Sequence, residues 1–409
     1  MEHFGKYLPH DSGAREFKFE SFEKSYKYCM FSISLSMMYP NPSHDMQRIL
    51  SLPCAILLAS PVYAGTVIHM YKSWLIRDLN TLFSLAVILG PITAYFIKMV
   101  VMFVQSDLVI QMLEEVNKDY ATCNRLPLPY KLITHKWVTL FRNFDRTWSK
   151  FIFCMTFSFP ILTALRTAYS YLFHDEPTRY TIIDTNLPFR LDEPELKLQT
   201  PYYEISFAFL TLYTFIYFYC NVTGFDSMKC LFAGHVCLKL ELCSQAMVDA
   251  LKIQDIEERY LQVTNVIKEQ NKVYAFVETY NKIYQTWLTA LSVYLVAHLC
   301  TSAVHLSSKF LADIQYISSI VASTYYCYML CAHIGRMTES SSNMALALYC
   351  SGWENVRDLR IRRMIAFAIA RTQLPLRVII FSNYPFDIQL FVSIVKTAYS
   401  LFTLLNQSN

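Results

Sequence analysis

Four ionisable side chains stand inside long apolar stretches of the chain: Lys98, Arg166, Asp387 and Lys396. A charge surrounded by hydrocarbon is costly, so such groups face a cavity, a pore or a partner, and they mark ion paths, proton relays or ligand contacts. Lys98 lies near one end of its stretch and could snorkel, burying its stem and keeping its ammonium wet. Arg166 could do the same, or donate hydrogen bonds to an oxygenated ligand. Asp387 and Lys396 are nine residues apart, about 13 Å of helix rise, too far for a direct pair. Lys396 sits too deep to snorkel, so a polar interior or a subunit interface is its expected surrounding.

Around these charges the sequence offers little catalytic chemistry. His69, His298, His305 and His333 also fall in apolar stretches, and each reads as a hydrogen-bonded helix residue. No phosphate-binding glycine loop, HExxH or GxSxG constellation stands in a supporting context, and no nucleophile–base pair is in view. The 12 cysteines are scattered without metal-ligand spacing and read as small apolar packing residues. An enzyme is therefore the weaker expectation, and neither a cofactor nor a metal is expected. A formal charge of +4, with no basic run interleaved with aromatics, argues against a nucleic-acid partner.

The elements that carry these residues are apolar helices. Hydrophobic residues make up 54% of the chain and charged ones 17%, against about a quarter charged in a soluble domain. A membrane span needs about 20 apolar residues to cross about 30 Å of hydrocarbon. Seven stretches qualify: 49–71, 81–106, 151–173, 205–225, 283–308, 314–335, and one from near Val378 almost to the last residue. Residues 1–28 are polar and hold no short apolar core with a cleavage site, so no secretory signal peptide is expected. The distribution of Lys and Arg sets the orientation. With the N-terminus inside, segments 1–48, 106–150, 225–285 and 337–377 hold 26 basic residues, and loops 72–80, 175–200 and 307–313 hold 6. The expected fold is an all-α membrane protein of seven transmembrane helices, N-terminus cytoplasmic and C-terminus extracellular.

Segment 225–285 has no proline, and its apolar residues recur at helical spacing: Val236, Leu240, Met247 and Leu251, then Ile256, Tyr260, Val263, Ile267, Tyr274 and Val277. Spans four and five therefore continue as amphipathic helices into the cytoplasm, and a further amphipathic helix is expected around 340–371. Their stripes must be covered, either by one another or by another subunit. The chain divides accordingly into a cytoplasmic segment 1–48, spans one to four over 49–224, helical extensions over 225–285, spans five and six over 286–336, a cytoplasmic helix within 337–377 and a seventh span over 378–409. On that last span Thr397, Ser400, Leu401, Leu404 and Ser408 share one face. Hydroxyls mixed with leucines suit a water-filled pore with an apolar constriction, or equally a packing stripe with back-bonded hydroxyls.

Glu339-Ser340-Ser341-Ser342, then Tyr349 and Trp353, the Gln373-Leu374-Pro375 step and the closing run 391–405 form one pattern. In these residues the C-terminal third resembles the insect odorant receptor family. The related gustatory receptors end in TYxxxxxQF; here Ala398 precedes Tyr399, and no Gln-Phe pair follows it. The long fourth-to-fifth insert of the shared co-receptor subunit (Orco) is also absent from the sequence. The resemblance implies an odorant-binding subunit of a ligand-gated, non-selective cation channel in the plasma membrane of olfactory neurons. It implies a heterotetramer with Orco, with membrane lipid, a volatile odorant and permeating cations as further partners. The cytoplasmic ends of spans four to six and the first half of span seven would form an anchor. The pore would be lined by Lys396, Thr397, Ser400, Leu401, Leu404, Gln407 and Ser408. Leu404 matches a constriction residue and Gln407 a polar residue at the mouth. Ser408 stands where the co-receptor carries a second apolar gate residue. The implied odorant pocket lies in the outer halves of spans two, three, four and six, at Phe83, Val87, Ile88, Thr163, Arg166, Thr167, Ser170, Phe207, Leu210, Thr211, Tyr316 and Ile320. A metabotropic seven-helix receptor, or a membrane transporter or enzyme working through Asp387, Lys396 and Arg166, stands as the alternative.

Overall fold

The computed structural model describes residues 17–39, 45–182, 198–308 and 314–407. Two short helices, α1 (Phe22–Ser25) and α2 (Lys27–Leu35), precede α3 (Asp45–Leu75), α4 (Leu79–Val104), α5 (Ser106–Cys123) and α6 (Leu128–Phe173). Then α7 (Tyr202–Thr214), two π-wound segments (Phe215–Cys220 and Val222–Asp226) and α8 (Ser227–Leu251) follow one another without a loop. The chain continues through α9 (Ile256–Ser308), α10 (Ile314–Tyr349) and α11 (Leu359–Thr372). A small antiparallel hairpin, β1 (Ile379–Ile380) with β2 (Tyr384–Pro385), leads into α12 (Ile388–Gln407). Among the described residues six helices are long and apolar enough to cross a membrane, and α4 with α5, bent by 73° at their junction, brings the number to seven when counted as one broken span.

Helix length decides what must leave the membrane. At 46 and 53 residues, α6 and α9 run about 69 and 80 Å, more than twice the ~30 Å hydrocarbon thickness. The continuation of spans four and five was legible in the sequence. That of span three was not, because the apolar run begins only at Phe151. Yet Tyr130, Thr134, Val138, Phe141, Phe144 and Trp148 form one buried stripe that carries straight on into Ile152 and Thr156. Between them Arg142, Arg146 and Lys150 occupy exposed positions of the same helix.

The stripes of the long helices are largely covered within the chain, with Leu251, Tyr260, Ile267 and Tyr274 half-buried and Ile256 at the start of α9 exposed. Every residue from 221 to 240 is buried, because α6, α9 and α10 all pack on α8. Val236, Leu240 and Met247 of α8 and Val263 and Val277 of α9 are part of this core. The helix expected around 340–371 is broken in two. Gly352 takes the left-handed conformation, with φ +74°, which glycine adopts without the steric cost borne by other residues. The chain restarts at α11, where the Asp358 carboxylate accepts the Arg360 N–H at 2.7 Å. The seventh apolar helix begins at Ile388 rather than near Val378. Asp387 therefore stands before this helix rather than within it. Its Oδ1 accepts the N–H groups of Gln389 and Leu390 at 2.9 and 3.2 Å, the work of a helix N-cap.

The short N-terminal helices are wedged against the π-wound segment. The first N–H groups of α2 lack helical partners, as at any helix start, and Tyr26 offers no side-chain cap. Asp145 of α6 supplies one from outside, accepting the N–H of Tyr28 at 3.2 Å and of Cys29 at 3.0 Å. The fit at Gly224 is close: a Cβ there would stand 2.7 Å from the Ile33 backbone nitrogen and 2.8 Å from its Cα. Backbone cannot swing aside as a side chain can. Gly224→Ala is expected to cost about 1–3 kcal/mol through overpacking, read as a lower unfolding temperature and a smaller monodisperse peak on size exclusion of the detergent-solubilised protein.

Candidate functional site

Three of the polar residues expected in the ligand pocket lie together at the end of α6, and the loop that follows uses all three. The Tyr180 N–H donates to Thr167 Oγ1 at 3.1 Å, and the Thr178 N–H donates to Ser170 Oγ at 2.8 Å. The Arg166 guanidinium lies 5.0 Å over the Tyr180 ring, a cation–π distance. Tyr203 of α7 closes the arrangement: its hydroxyl donates to the Tyr180 carbonyl at 3.0 Å and sits 3.3 Å from Thr167 Oγ1. Tyr203 and Tyr180 were not singled out from the sequence, where nothing marks a loop carbonyl as their partner.

The remaining expected pocket residues are mostly apolar packing. Leu210 is buried, and Phe207 and Ile320 are half-buried against the core. The hydroxyls of Thr163 and Thr211 turn back to their own helices, donating to the carbonyls of Phe159 and Phe207. Phe83, Val87 and Ile88 stand on α4 and Tyr316 on α10, but their side chains lie outside the described residues.

The strongest electrostatic feature lies deeper. Lys98 does not snorkel: its side chain is 3% exposed, and its ammonium donates to Asp226 Oδ2 at 2.6 Å and to Asn221 Oδ1 at 2.7 Å. Lys229 donates to the other carboxylate oxygen at 2.9 Å, and the Tyr326 hydroxyl also reaches Oδ2 at 2.9 Å. The rings of Phe225 and Trp287 lie 5.5 and 5.1 Å from Lys98 Nζ. Local winding makes this geometry possible. Asn221 and Asp226 are five residues apart, and in an α-helix they would point about 140° from one another. The i→i+5 winding of a π-helix brings both oxygens to one ammonium. The sequence reading placed Asp226 and Lys229 in a cytoplasmic linker and missed the cluster. The available signal was the need of Lys98 for a counter-charge at its own depth, where Asp226 closes the fourth apolar run.

The third feature is α12. Leu390, Ile394 and Ala398 are buried, where this helix packs on α9 and α10. Lys396, Thr397, Ser400, Leu401 and Leu404 are all exposed on the single chain, Leu404 at 66%. The Ser400 hydroxyl donates back to the Lys396 carbonyl at 3.0 Å. The side chain of Gln407 and the whole of Ser408 lie outside the described residues. Of the lone histidines, His298 bridges Tyr294 and Ser319 at 3.3 and 3.2 Å, and His333 Nδ1 lies 2.9 Å from the Met329 carbonyl.

These observations define a polytopic α-helical membrane protein with long non-membrane extensions and a last helix half uncovered. The family of seven-helix odorant receptors matches it over residues 78–399, and the chain belongs to that family, one of receptors rather than enzymes. It is 27% identical over 219 residues to odorant receptor 10 of Aedes albopictus and 26% identical over 224 residues to odorant receptor 30a of Drosophila melanogaster. These alignments take in 51% and 52% of this chain and 56% of each relative, so the chain spans about half the length of the curated relatives it matches. The fold is similar to that of the insect olfactory receptor OR5 from Machilis hrabei, solved in complex with eugenol. The TM-score is 0.72 at 14% identity, over 94% of this chain and all of that one.

The charge balance of the buried cluster orders the effects of its mutants. Lys98→Met leaves Asp226 paired with Lys229. Asp226→Asn takes away the one carboxylate that two buried ammonium groups share, a loss of about 3–5 kcal/mol. Asp226→Asn is therefore expected to lose most of its folded, surface-expressed population and Lys98→Met far less. Cell-surface labelling together with thermal unfolding in detergent measures both.

Proposed function

We propose that this chain is the odorant-binding subunit of a ligand-gated, non-selective cation channel. In this reading its N-terminus is cytoplasmic, and it works in a heterotetramer with the odorant co-receptor in the plasma membrane of olfactory neurons. The observation that carries the reading is the two-sided character of α12. One face is packed on the chain's own helices, and the other leaves Lys396, Thr397, Ser400, Leu401 and Leu404 uncovered. A helix with an ammonium and hydroxyls on an open face is poorly suited to lipid. Arranged around a shared axis, the same face lines water, and a ring of leucines provides a constriction that gates by dewetting.

The ligand in this reading is a small, largely apolar volatile. Leu210, Phe207 and Ile320 offer apolar contact, and the polar end of α6 with Tyr203 offers hydrogen-bonding groups near the loop. Apolar walls with a few polar fixing groups are what such pockets require. Eugenol in the Machilis hrabei receptor, a small aromatic bearing oxygen, is a ligand of that kind. The odorant binds the open arrangement better than the closed one and so shifts the population between them. The helical extensions α8, α9 and the end of α10, with α11, serve as the anchor that holds subunits together.

Co-expression of this chain with the co-receptor is expected to give odorant-evoked cation currents that persist when G-protein signalling is blocked; currents that disappear under that block would overturn the channel reading. Pocket and pore variants are expected to separate. Phe207→Ala should raise the half-maximal odorant concentration about tenfold or more, the equivalent of removing a buried aromatic contact, at unchanged single-channel conductance. Leu404→Trp should change conductance or basal leak and leave the half-maximal concentration within about twofold. The reverse pattern would remove these residues from their assigned roles.

A further inference from the structure

The buried cluster around Asp226 carries more positive charge than it neutralises. Lys98 and Lys229 share the single Asp226 carboxylate, and among the described residues no second acid pairs with either ammonium. The Lys229 side chain is 0% exposed, yet Asp226 Oδ1 is the one hydrogen-bond acceptor it has there, although an ammonium carries three N–H groups.

The groups around this surplus are also short of acceptors. The Asn221 amide gives its oxygen to Lys98, while its Nδ2 is buried with no partner among the described residues. The same holds for Trp287 Nε1, on a ring 5.1 Å from Lys98 Nζ. Tyr280, Tyr284 and Trp287 recur at helical spacing on α9, and the rings of Tyr284 and Trp287 stand 5.6 and 6.1 Å from that of Phe225. The Tyr280 and Tyr284 hydroxyls are buried and have no partner among the described residues either. An unpaired buried charge is expensive, and so is each buried donor without an acceptor. Water would serve the donors but leave the charge.

We propose that this cluster is a structural site for a small monovalent anion of the chloride class. The anion sits between the Lys98–Asp226–Lys229 triad and the Tyr280, Tyr284 and Trp287 face of α9. It brings the local charge to zero and accepts from several donors at once. This site does not depend on the channel reading: it concerns the folded chain, and its test reads stability rather than current.

The test is thermal unfolding of the full chain in detergent, with gluconate replaced stepwise by chloride or bromide at constant ionic strength. The unfolding midpoint is expected to rise by about 2–4 °C and then saturate, as ligand binding to the native state alone requires. Lys229→Met removes the surplus charge and keeps the volume, so its midpoint should not respond to halide. Equal wild-type midpoints in gluconate and chloride would overturn the proposal, the cluster then holding water only. A Lys229→Met response equal to that of the wild type, or an equal rise with sulfate, would overturn it as well, by placing the effect elsewhere. Should Lys229→Met fail to fold, the wild-type halide and sulfate titrations decide alone.

Discussion

An ammonium group withdrawn from water loses hydration worth several kcal/mol even after the protein relaxes around it, and no helix bundle can bury Lys98 without answering that loss. The answer given by this chain fixes its central architecture. Asp226 must sit at the depth of Lys98, so α4 and the end of the fourth span are held in register. Asn221 must reach the same ammonium, so the backbone between them winds as a π-helix. Lys229 then shares the carboxylate from the first turn of α8, and Tyr326 ties in α10. Three stretches far apart in sequence, around 98, 221–229 and 326, meet at one carboxylate.

The same rule recurs below the cluster. The next basic residues on the buried first half of α8 are His235 and Lys239, and both meet Asp119 of α5, at 3.0 and 2.8 Å. Lys239 also faces Glu269 of α9 at 3.5 Å. A buried stretch of helix can carry two lysines and a histidine because each of them meets a carboxylate: Lys229 meets Asp226, His235 meets Asp119, and Lys239 meets Asp119 and Glu269. The 73° bend after α4 is what turns α5 under the bundle, where Asp119 can do so. The cysteines of this helix, Cys230, Cys237 and Cys243, are free and buried, which fits their use as small apolar packing groups.

Much of the helical layout was legible in the sequence because it depends on one-dimensional signals. Apolar run length gave the spans, and the apolar stripe at 3–4 residue spacing gave the long extensions of α8 and α9. Charge asymmetry points to a cytoplasmic N-terminus. What escaped were pairings across elements. Lys98 looks like a snorkelling residue until Asp226 is known to share its depth. Asp387 looks like a buried charge until Ile388 is known to start the helix. Asn221 and Asp226 could not be placed on one face, because π-winding breaks the 3.6-residue period by which faces are assigned.

The position of the cluster bears on how a pocket and a pore could communicate. α7, the π-wound segment and α8 form a single run from Tyr203, which holds the loop at one end, to Met247 in the core at the other. Within that run the π-wound residues make fewer regular α-helical bonds, and π segments often mark functional sites. The contacts that hold the segment are discrete: Lys98 on Asn221 and Asp226, and Ile33 against Gly224. A displacement of α7 at the ligand end would have to break or carry these contacts as a set, since a close-packed interior rearranges between distinct packings rather than deforming smoothly. The extension α9, which presents Trp287 to the cluster, also packs directly on α12. The cluster therefore lies on a packed route from the polar end of α6 and α7 to the helix proposed to line the pore. Coupling between the two sites by this route requires those ionic contacts to take two arrangements, one for each state of the pore.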